Sequence, residues 1–298
     1  MTEDFSSAST WRILADAGRR AHFDGAGATL LRLGENALYR LVSEPVVVRI
    51  ARTMDYWEQV QNEVAVARWL ADMAYPAARL DERTQPLDVS GHPVTFWQFI
   101  GGRDAGPGDV SHLARLLRGF HQLQKPVKFD LHPYTFGTRI ARRLETAPIS
   151  DSDKVYLRDK FRDLTEAVEY LTFPLPVSAV HGDAHIKNVM ISQDGDEPLL
   201  IDFENTGWGH PEWDLAVTAT EYVSGRLWTD DQYGAFVDAY GYDITTWSGF
   251  EVLKQIQEIK MTTWLSQNIN ESRAVAEEFS LRMRTIRTGL ASAPWQGY

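Results

Sequence analysis

The sequence predicts an α+β protein with a small β-rich amino-terminal part and a larger, mainly helical remainder. Short apolar runs typical of β-strands are concentrated before residue 100, whereas most later segments have the periodicity of helices. Residues 101–108 read GGRDAGPG, a composition typical of a flexible connector. We therefore expect an amino-terminal domain over residues 1–100, a hinge over 101–108 and a second domain over 109–298.

β-Strands are predicted in four runs of the amino-terminal part. They are ATLLRL, ALYRL, PVVVRIA and PVTFWQFI, at residues 28–33, 37–41, 45–51 and 93–100. One helix, from about Trp57 to Met73, interrupts them. Gly34 falls in the turn between the first two runs, with Asn36 beside it, which favours a β-hairpin.

Helices are predicted over much of the remaining chain. The predicted ranges are 112–123, 153–171, 212–223 and 250–270. A β-like segment, residues 177–201, interrupts them. This segment contains the most polar motif of the chain, so we expect function to be concentrated there.

Composition limits the classes of protein that the chain can represent. The 298 residues include 30 basic and 41 acidic side chains, a formal charge of −11, which argues against nucleic acid as the main partner. There is no cysteine, so disulfides and thiolate metal sites are excluded. The first ten residues lack the basic and apolar parts of a signal peptide, and no apolar run approaches the roughly 18 residues that cross a membrane. We expect a cytoplasmic protein with no membrane partner.

The motif VHGDAHIKNVMI, residues 180–191, places polar side chains among apolar ones. Burying each neutral polar group without a partner costs about 1–3 kcal/mol, so these groups are expected to bind something. Asp183 and Asn188 lie in this motif, and Asp202 follows the next apolar run, LLI. Carboxylate and amide oxygens at the ends of adjacent strands hold divalent cations and orient hydroxyl groups.

The segments HGDAHIKN, IDFE and GHPEWDLA resemble the aminoglycoside phosphotransferase family, which shares the protein-kinase-like fold with choline kinases and homoserine kinases. The resemblance implies a two-lobed fold and an enzyme that moves the γ-phosphate of ATP to a hydroxyl of a small molecule. It implies that Asp183 accepts the proton of that hydroxyl or orients the hydroxyl. It further implies that Asn188 and Asp202 bind Mg²⁺ bridging the ATP phosphates. His181 and Asp214 would then support the backbone of the catalytic loop.

Three neighbouring side chains are less closely defined by the resemblance. His185 occupies the position where protein kinases have a lysine that contacts the transferred phosphate, so it either takes that role or packs within the loop. Lys187 is predicted to be solvated. Glu204 stands where protein kinases have the glycine after Asp-Phe, which leaves an accessory contact to metal or substrate open.

In the amino-terminal part, Arg49 lies in an apolar strand and Glu63 in the apolar stripe of the following helix, among Val60, Val64 and Ala67. A glutamate in that position needs a partner, and Arg49 is the natural one. Related kinases use a lysine and a glutamate there to position the ATP phosphates, which predicts a nucleotide site. A purely structural ion pair remains the alternative.

The resemblance also implies backbone contacts to adenine near Gln98, Phe99 and Ile100, and a nucleotide-covering loop at Gly34 and Asn36. Single residues of these types are weak signals, and a plain hairpin explains the loop equally well. The small-molecule acceptor is expected to be amine-bearing or a neutral polyol, because residues 203–298 contain 13 acidic and 7 basic side chains. Tryptophans of the same tract would pack either on such an acceptor or in the core: Trp208, Trp213 and Trp228.

Two alternatives belong to other functional classes. The chain could bind nucleotide without turnover, although the intact acids and Asn188 argue against that. His181, Asp183 and His185 alternate, and on a strand they would share one face, as in a zinc hydrolase. The zinc alternative leaves Asn188 and Asp202 without a role, so phosphotransfer is the preferred prediction.

Overall fold

The structure, a computed structural model, describes residues 5–296. Residues 1–4 of the segment tested for a signal peptide, and residues 297 and 298, lie outside this range. The chain divides into two compact units. The first comprises the described residues up to Asp104 together with 126–131 and 188–206, and the second comprises 105–125, 132–187 and the described residues from Gly207 onward. This division differs from the predicted domains, because two later segments group with the amino-terminal residues.

The first unit contains a five-stranded antiparallel sheet in the order β1-β2-β3-β5-β4. Its strands are β1 (Thr29–Leu33), β2 (Asn36–Arg40), β3 (Val46–Ala51), β4 (Leu87–Val89) and β5 (His92–Gln98). Four of the five coincide with the predicted runs. The predicted hairpin is confirmed, since Leu33 pairs with Ala37 across a turn that contains Gly34. β4 was not predicted because three residues are too few to show alternation.

Helix α1 (Ser7–Ala21) covers part of this sheet. It begins at a capping box, in which the Ser6 side chain accepts from the Ser9 backbone and the Ser9 side chain accepts from the Ser6 backbone. Its apolar face joins the buried core of the sheet, whose members include Leu14, Ala17, Val48 and Phe96. The Thr10 hydroxyl also lies 2.8 Å from the Tyr39 hydroxyl, so this buried polar pair is satisfied.

Helix α2 (Trp57–Asp72) follows β3. The predicted apolar face is confirmed, because Val60, Val64 and Ala67 are all buried. Glu63 is buried with them and is only 1% exposed. The helix therefore presents one carboxylate from within an apolar stripe, as the sequence predicted.

Part of the predicted connector is a strand, β6 (Gly102–Asp104). It pairs with β8 (Val189–Ser192), which pairs in turn with β9 (Pro198–Leu200). Gly102 has a φ of 153°, and a Cβ atom there would lie 2.1 Å from the Ile191 carbonyl oxygen. The glycine that looked like a sign of flexibility is thus required by close strand contact. Leu200 also accepts from the Ala78 backbone at 2.9 Å, which ties the β8–β9 pair to the first unit.

The second unit is mainly helical. Its helices are α3 (Val110–His121), α4 (Ile140–Thr146), α5 (Asp151–Val168), α6 (Glu212–Val223), α7 (Asp230–Tyr240), α8 (Phe250–Ser266) and α9 (Arg273–Thr288). The four predicted helices correspond to α3, α5, α6 and α8. α8 ends four residues before the predicted end because the chain turns there, with the Asn268 N–H donating to the Leu265 carbonyl at 3.0 Å. The α+β class is confirmed.

Two short strands of the second unit, β7 (Ser178–Val180) and β10 (Gly207–Gly209), pair antiparallel. β7 leads directly into the turn that carries Asp183, and β10 leads toward α6. α6 and α8 pack against each other. Within residues 5–296 no helix combines the length and the apolar character that crossing a bilayer requires.

Candidate active site

Arg49 is the centre of a charged cluster in the first unit. Its Nη1 lies 2.7 Å from Glu63 Oε1 and 3.5 Å from Asp202 Oδ1, and its Nη2 lies 2.6 Å from Glu204 Oε2. With its amide oxygen turned to the guanidinium, Asn36 accepts from Arg49 Nη2 at 2.8 Å and Nε at 3.2 Å. The predicted Arg49–Glu63 pair is therefore present, and Glu204 is a second carboxylate of the same cluster.

The pKa values in this cluster reflect burial together with the neighbouring charges. Burial raises the pKa of Glu63 to about 8, and the charges of Asp202 and Glu204 add to the rise while Arg49 opposes it. Burial alone would lower the pKa of Arg49, but the three carboxylates outweigh burial and raise that pKa above its ordinary value. Arg49 consequently stays charged at any pH at which the protein is folded.

Asp202 of this cluster and Asn188 carry oxygen atoms of the kind that suit a divalent cation. With Glu63 protonated, as its raised pKa favours, Arg49 against Asp202 and Glu204 leaves a formal excess of one negative charge. Asp202, whose side chain is 35% exposed, follows β9 in a left-handed conformation with a φ of 67°. The Asn188 carbonyl accepts from the Ile201 N–H at 3.0 Å, which brings Asn188 and Asp202 to the same end of the β8–β9 pair. Asp202 offers carboxylate oxygens and Asn188 an amide oxygen, and oxygen is the ligand atom that Mg²⁺ and Ca²⁺ prefer.

The predicted adenine contacts fall at the end of β5. The Gln98 N–H donates to the Arg79 carbonyl and the Phe99 N–H donates to the Pro45 carbonyl, each at 2.8 Å. These two N–H groups are therefore already used within the protein. Contact of adenine with Gln98, Phe99 or Ile100 stays a prediction, and at the first two residues it has to involve groups other than these N–H donors.

Asp183 lies on a turn of the second unit whose backbone is fixed by Asp214. Asp214, at the start of α6, is fully buried and accepts from the N–H groups of His181 and Gly182 at 2.7 and 2.8 Å. It also lies 2.9 Å from His121 Nε2, whose Nδ1 lies 2.9 Å from the Tyr240 hydroxyl. His181 is buried as well, and its Nδ1 accepts from the Asp183 N–H at 3.3 Å. Both predicted supporting residues thus contact the turn.

The Asp183 carboxylate has a cationic group near each oxygen. Lys260 Nζ lies 3.1 Å from Oδ1, and His185 Nε2 lies 3.4 Å from Oδ2. Burial raises the pKa of Asp183, but Lys260 and His185 more than offset it, so that this pKa lies well below its ordinary value. Burial lowers the pKa of His185, yet its bond to Asp183 and the charges of Asp183 and Glu221 raise it overall. Asp183 is therefore ionised throughout the neutral range.

Sequence reasoning missed two contributors to this turn. Lys260 is 77 residues from Asp183 in the chain, in a stretch of α8 that otherwise reads as a core helix. His121 ends α3, where a histidine has no distinguishing context. Neither has a spacing that points to the motif, because the contacts depend on how helices pack. Lys187 is exposed, as predicted.

Two of the three tryptophans considered for the acceptor belong to the core. Trp213 stacks on Phe136 with ring centroids 4.3 Å apart, and it is 5% exposed. Trp228 is 7% exposed and donates from Nε1 to Glu221 at 2.9 Å. Trp208, in β10, is half-buried. Core packing, the alternative weighed for these residues, therefore describes Trp213 and Trp228.

The zinc-hydrolase alternative finds no support in the geometry. Over residues 5–296, no group of three or more histidine, aspartate or glutamate side chains is arranged to hold a metal ion. His181 is committed to the Asp183 backbone through Nδ1, whereas His185 contacts the Asp183 carboxylate. The alternation of these residues therefore does not give a shared ligand set.

Replacing Asp214 with asparagine is expected to destabilise the protein by about 1–3 kcal/mol, because one buried donor loses its acceptor. The measurement is the free energy of unfolding in urea. Asp238→Asn, an exposed change on α7, is the matched control and should stay within about 0.5 kcal/mol of the parent protein. Equal stability of the two variants would show that the carboxylate does not hold the turn.

Comparisons with known proteins identify the family and the fold of the chain. Residues 28–256 match the phosphotransferase enzyme family (APH). No curated protein matches significantly in sequence. Among solved structures, amicoumacin kinase hAmiN, in complex with AMP-PNP, Ca²⁺ and Ami, has a TM-score of 0.72 at 16% identity, covering 96% of this chain and 95% of that one.

Two further solved structures are similar. Choline kinase LicA from Streptococcus pneumoniae has a TM-score of 0.64 at 16% identity, over 96% of this chain and 100% of that one. An aminoglycoside-3′-phosphotransferase of type VIII has a TM-score of 0.62 at 17% identity, over 83% and 98%. The likeness confirms the predicted kinase-like fold, and the family match confirms the predicted enzyme class, a phosphotransferase acting on a hydroxyl of a small molecule. Because the matched residues span most of its length, this chain belongs to the phosphotransferase enzyme family.

Proposed function

We propose that the protein transfers the γ-phosphate of ATP, with Mg²⁺, to the hydroxyl of an amine-bearing small molecule. The observation that carries the proposal is Asp183, an ionised carboxylate on a turn whose backbone is fixed by Asp214. Phosphoryl transfer depends on positioning and electrostatic stabilisation, and a fixed carboxylate is the group that orients an attacking hydroxyl.

In this proposal Asp183 acts mainly by orientation. Its lowered pKa makes it a weak base, which suits a loose transition state in which the attacking hydroxyl keeps its proton until late. The Oδ2 atom, which lies near His185 rather than Lys260, accepts the hydrogen bond from the acceptor. His185, with its raised pKa, is a second donor beside this oxygen.

The proposed metal ligands are Asn188 and Asp202. Magnesium, when bound, would neutralise the phosphate charges of ATP. Arg49 holds Asp202 and Glu204 through its two terminal nitrogens. We infer that the excess negative charge of this cluster serves to bind the metal. Asn36 and Gly34, at the β1–β2 turn, would cover the nucleotide.

An amine-bearing acceptor is supported by charge. The tract of residues 203–298 contains 13 acidic and 7 basic side chains, and Glu221 from α6 acts electrostatically on both Asp183 and His185. Acids near the acceptor concentrate cationic substrates and repel anionic ones. The names of two similar structures point the same way, since choline and aminoglycosides each combine a hydroxyl with a nitrogen cation.

An acceptor screen tests the proposal. Purified protein with ATP and MgCl₂ is offered choline, aminoglycosides, neutral sugars and sugar acids, while ADP formation and the phosphorylated product are measured. We expect acceptor-dependent turnover, with kcat/KM for a cationic acceptor falling as salt rises from about 10 mM to 1 M, a range over which the Debye length falls from about 30 to 3 Å.

The outcomes separate the parts of the proposal. A sugar acid as the best acceptor would overturn the acceptor class and leave phosphotransfer intact. Binding of Mg-ATP without ADP formation, across all acceptor classes, would favour nucleotide binding without turnover. Asp183→Asn supplies the blank for each acceptor, because it removes the carboxylate on which the proposal depends.

A further inference from the structure

Lys260 contacts the turn of Asp183 at two points. Its Nζ donates to the Gly182 carbonyl at 2.9 Å and to Asp183 Oδ1 at 3.1 Å. The side chain comes from α8 and is 26% exposed. One ammonium group therefore fixes both the backbone and the carboxylate of the same turn.

The opposite side of the turn is fixed by α6. Asp214 accepts from the Gly182 N–H, whereas Lys260 donates to the Gly182 carbonyl. Gly182 has a φ of 82°, a left-handed conformation that glycine adopts without strain. Both backbone groups of Gly182 are thus bonded to helices that pack against each other, α6 and α8.

This arrangement makes the two oxygens of Asp183 unequal. Oδ1 is held by Lys260, while Oδ2 lies 3.4 Å from His185. A carboxylate bonded at one oxygen has a restricted rotation about its side chain, so the position of the other oxygen is set as well. The titratable groups that interact electrostatically with Asp183 are Lys260 from α8, His185 from its own turn, Glu221 from α6 and Tyr134.

We propose that Lys260 is a positioning residue for phosphoryl transfer, which holds Asp183 in the orientation that presents Oδ2 to the acceptor hydroxyl. This inference rests on the proposed function. Partly exposed ion pairs contribute about 0–1 kcal/mol to stability. The kinetic effect of removing Lys260 is therefore expected to exceed its effect on folding.

The principal test compares Lys260→Met with Lys260→Arg. Lys260→Met keeps the length of the side chain but loses the charge, and we expect kcat to fall by about 10- to 100-fold, because misplacing a reacting group by about 1 Å costs that much. KM for ATP should stay within about twofold, since the proposed nucleotide ligands lie elsewhere. Lys260→Arg retains the charge and N–H donors, so it should recover most of kcat.

The pH profile gives a readout that a merely structural role would not move. Lys260 lowers the pKa of Asp183, so its removal raises that pKa and shifts the acid limb of the kcat profile to higher pH. A carboxyl ¹³C NMR titration, with Asp183 assigned from the Asp183→Asn spectrum, measures the same shift without any acceptor. This second measurement keeps failure of the inference distinct from failure of the proposed function.

The matched control is Lys254→Met, on the same helix, where Lys254 pairs with Glu251 at 2.7 Å. It should leave both kcat and the acid limb unchanged even if the melting temperature falls. An unchanged Asp183 titration in Lys260→Met would overturn the inference. The inference would also be overturned if Lys254→Met lost as much kcat as Lys260→Met. An equal loss of kcat and of ATP affinity in Lys260→Met would overturn it as well.

Discussion

Replacing Asp183 with asparagine is expected to lower turnover by about 10²- to 10⁴-fold, because the attacking hydroxyl loses the carboxylate that orients it and accepts its proton late in the transfer. Asparagine keeps the shape of the side chain but loses the negative charge that Lys260 and His185 surround. Affinity for Mg-ATP should remain within a few-fold, because the proposed metal ligands belong to the other compact unit. Steady-state kinetics with the best acceptor, together with calorimetric titration of Mg-ATP, measure the two effects separately.

Two other changes serve as references for that result. Asp202→Ala should weaken binding of Mg-ATP itself, because it removes a proposed metal ligand. Asp194→Asn changes an exposed carboxylate in the turn between β8 and β9 and should alter neither quantity. Equal loss of nucleotide affinity in Asp183→Asn and Asp202→Ala would contradict the division of roles between these two acids.

The sequence was sufficient where the deciding pattern is local. The apolar run of β3 and the apolar stripe of α2 predicted that Arg49 pairs with Glu63, and the pair is present at 2.7 Å. The supporting role of Asp214 was implied by the resemblance to a known family, and its hydrogen bonds to the His181 and Gly182 backbone fit that role. For Arg49 and Glu63, a polar residue in an apolar context required a partner, and the context limited which partner could reach it.

The rest depended on packing that no local pattern records. Lys260 reaches Asp183 because α8 packs against α6, and a charged residue on a helix gives no information about distant contacts. Strand β6 within the predicted connector has no local signal for a similar reason. The glycines of the connector predicted flexibility, but Gly102 is needed because β6 approaches the Ile191 carbonyl too closely for a side chain.

Glu204 is a further partner of Arg49, in addition to the predicted Glu63. Sequence reasoning assigned Arg49 to Glu63 and left Glu204 as an accessory contact. In the structure Arg49 bonds both carboxylates, and Asn36 accepts from the same guanidinium. Direct contact of Arg49 with phosphate would therefore require one of these partners to be exchanged, whereas a lysine in the same position would have fewer partners to satisfy.

Replacing Arg49 with methionine is expected to destabilise the first unit by about 3–5 kcal/mol, because it leaves buried carboxylates without their cation. The Arg49, Glu63 and Glu204 side chains are 12%, 1% and 13% exposed, so water cannot fully compensate. The free energy of unfolding in urea measures the loss. A variant that combines Arg49→Met with Glu63→Gln and Glu204→Gln should recover part of it, since the uncompensated charges are then removed together.

Steady-state kinetics test whether the cluster contributes to ATP binding as well as to folding. At temperatures where Arg49→Met remains folded, we expect KM for ATP to rise more than KM for the acceptor, because Asp202 loses the group that positions it. Glu63→Gln should produce a milder change in the same direction. If Arg49→Met had the same free energy of unfolding as the parent protein, the expected contribution of the buried ion pair to stability would be contradicted. Lost stability with unchanged ATP kinetics in both variants would mean that the cluster is structural, and that the nucleotide site must be assigned to other residues.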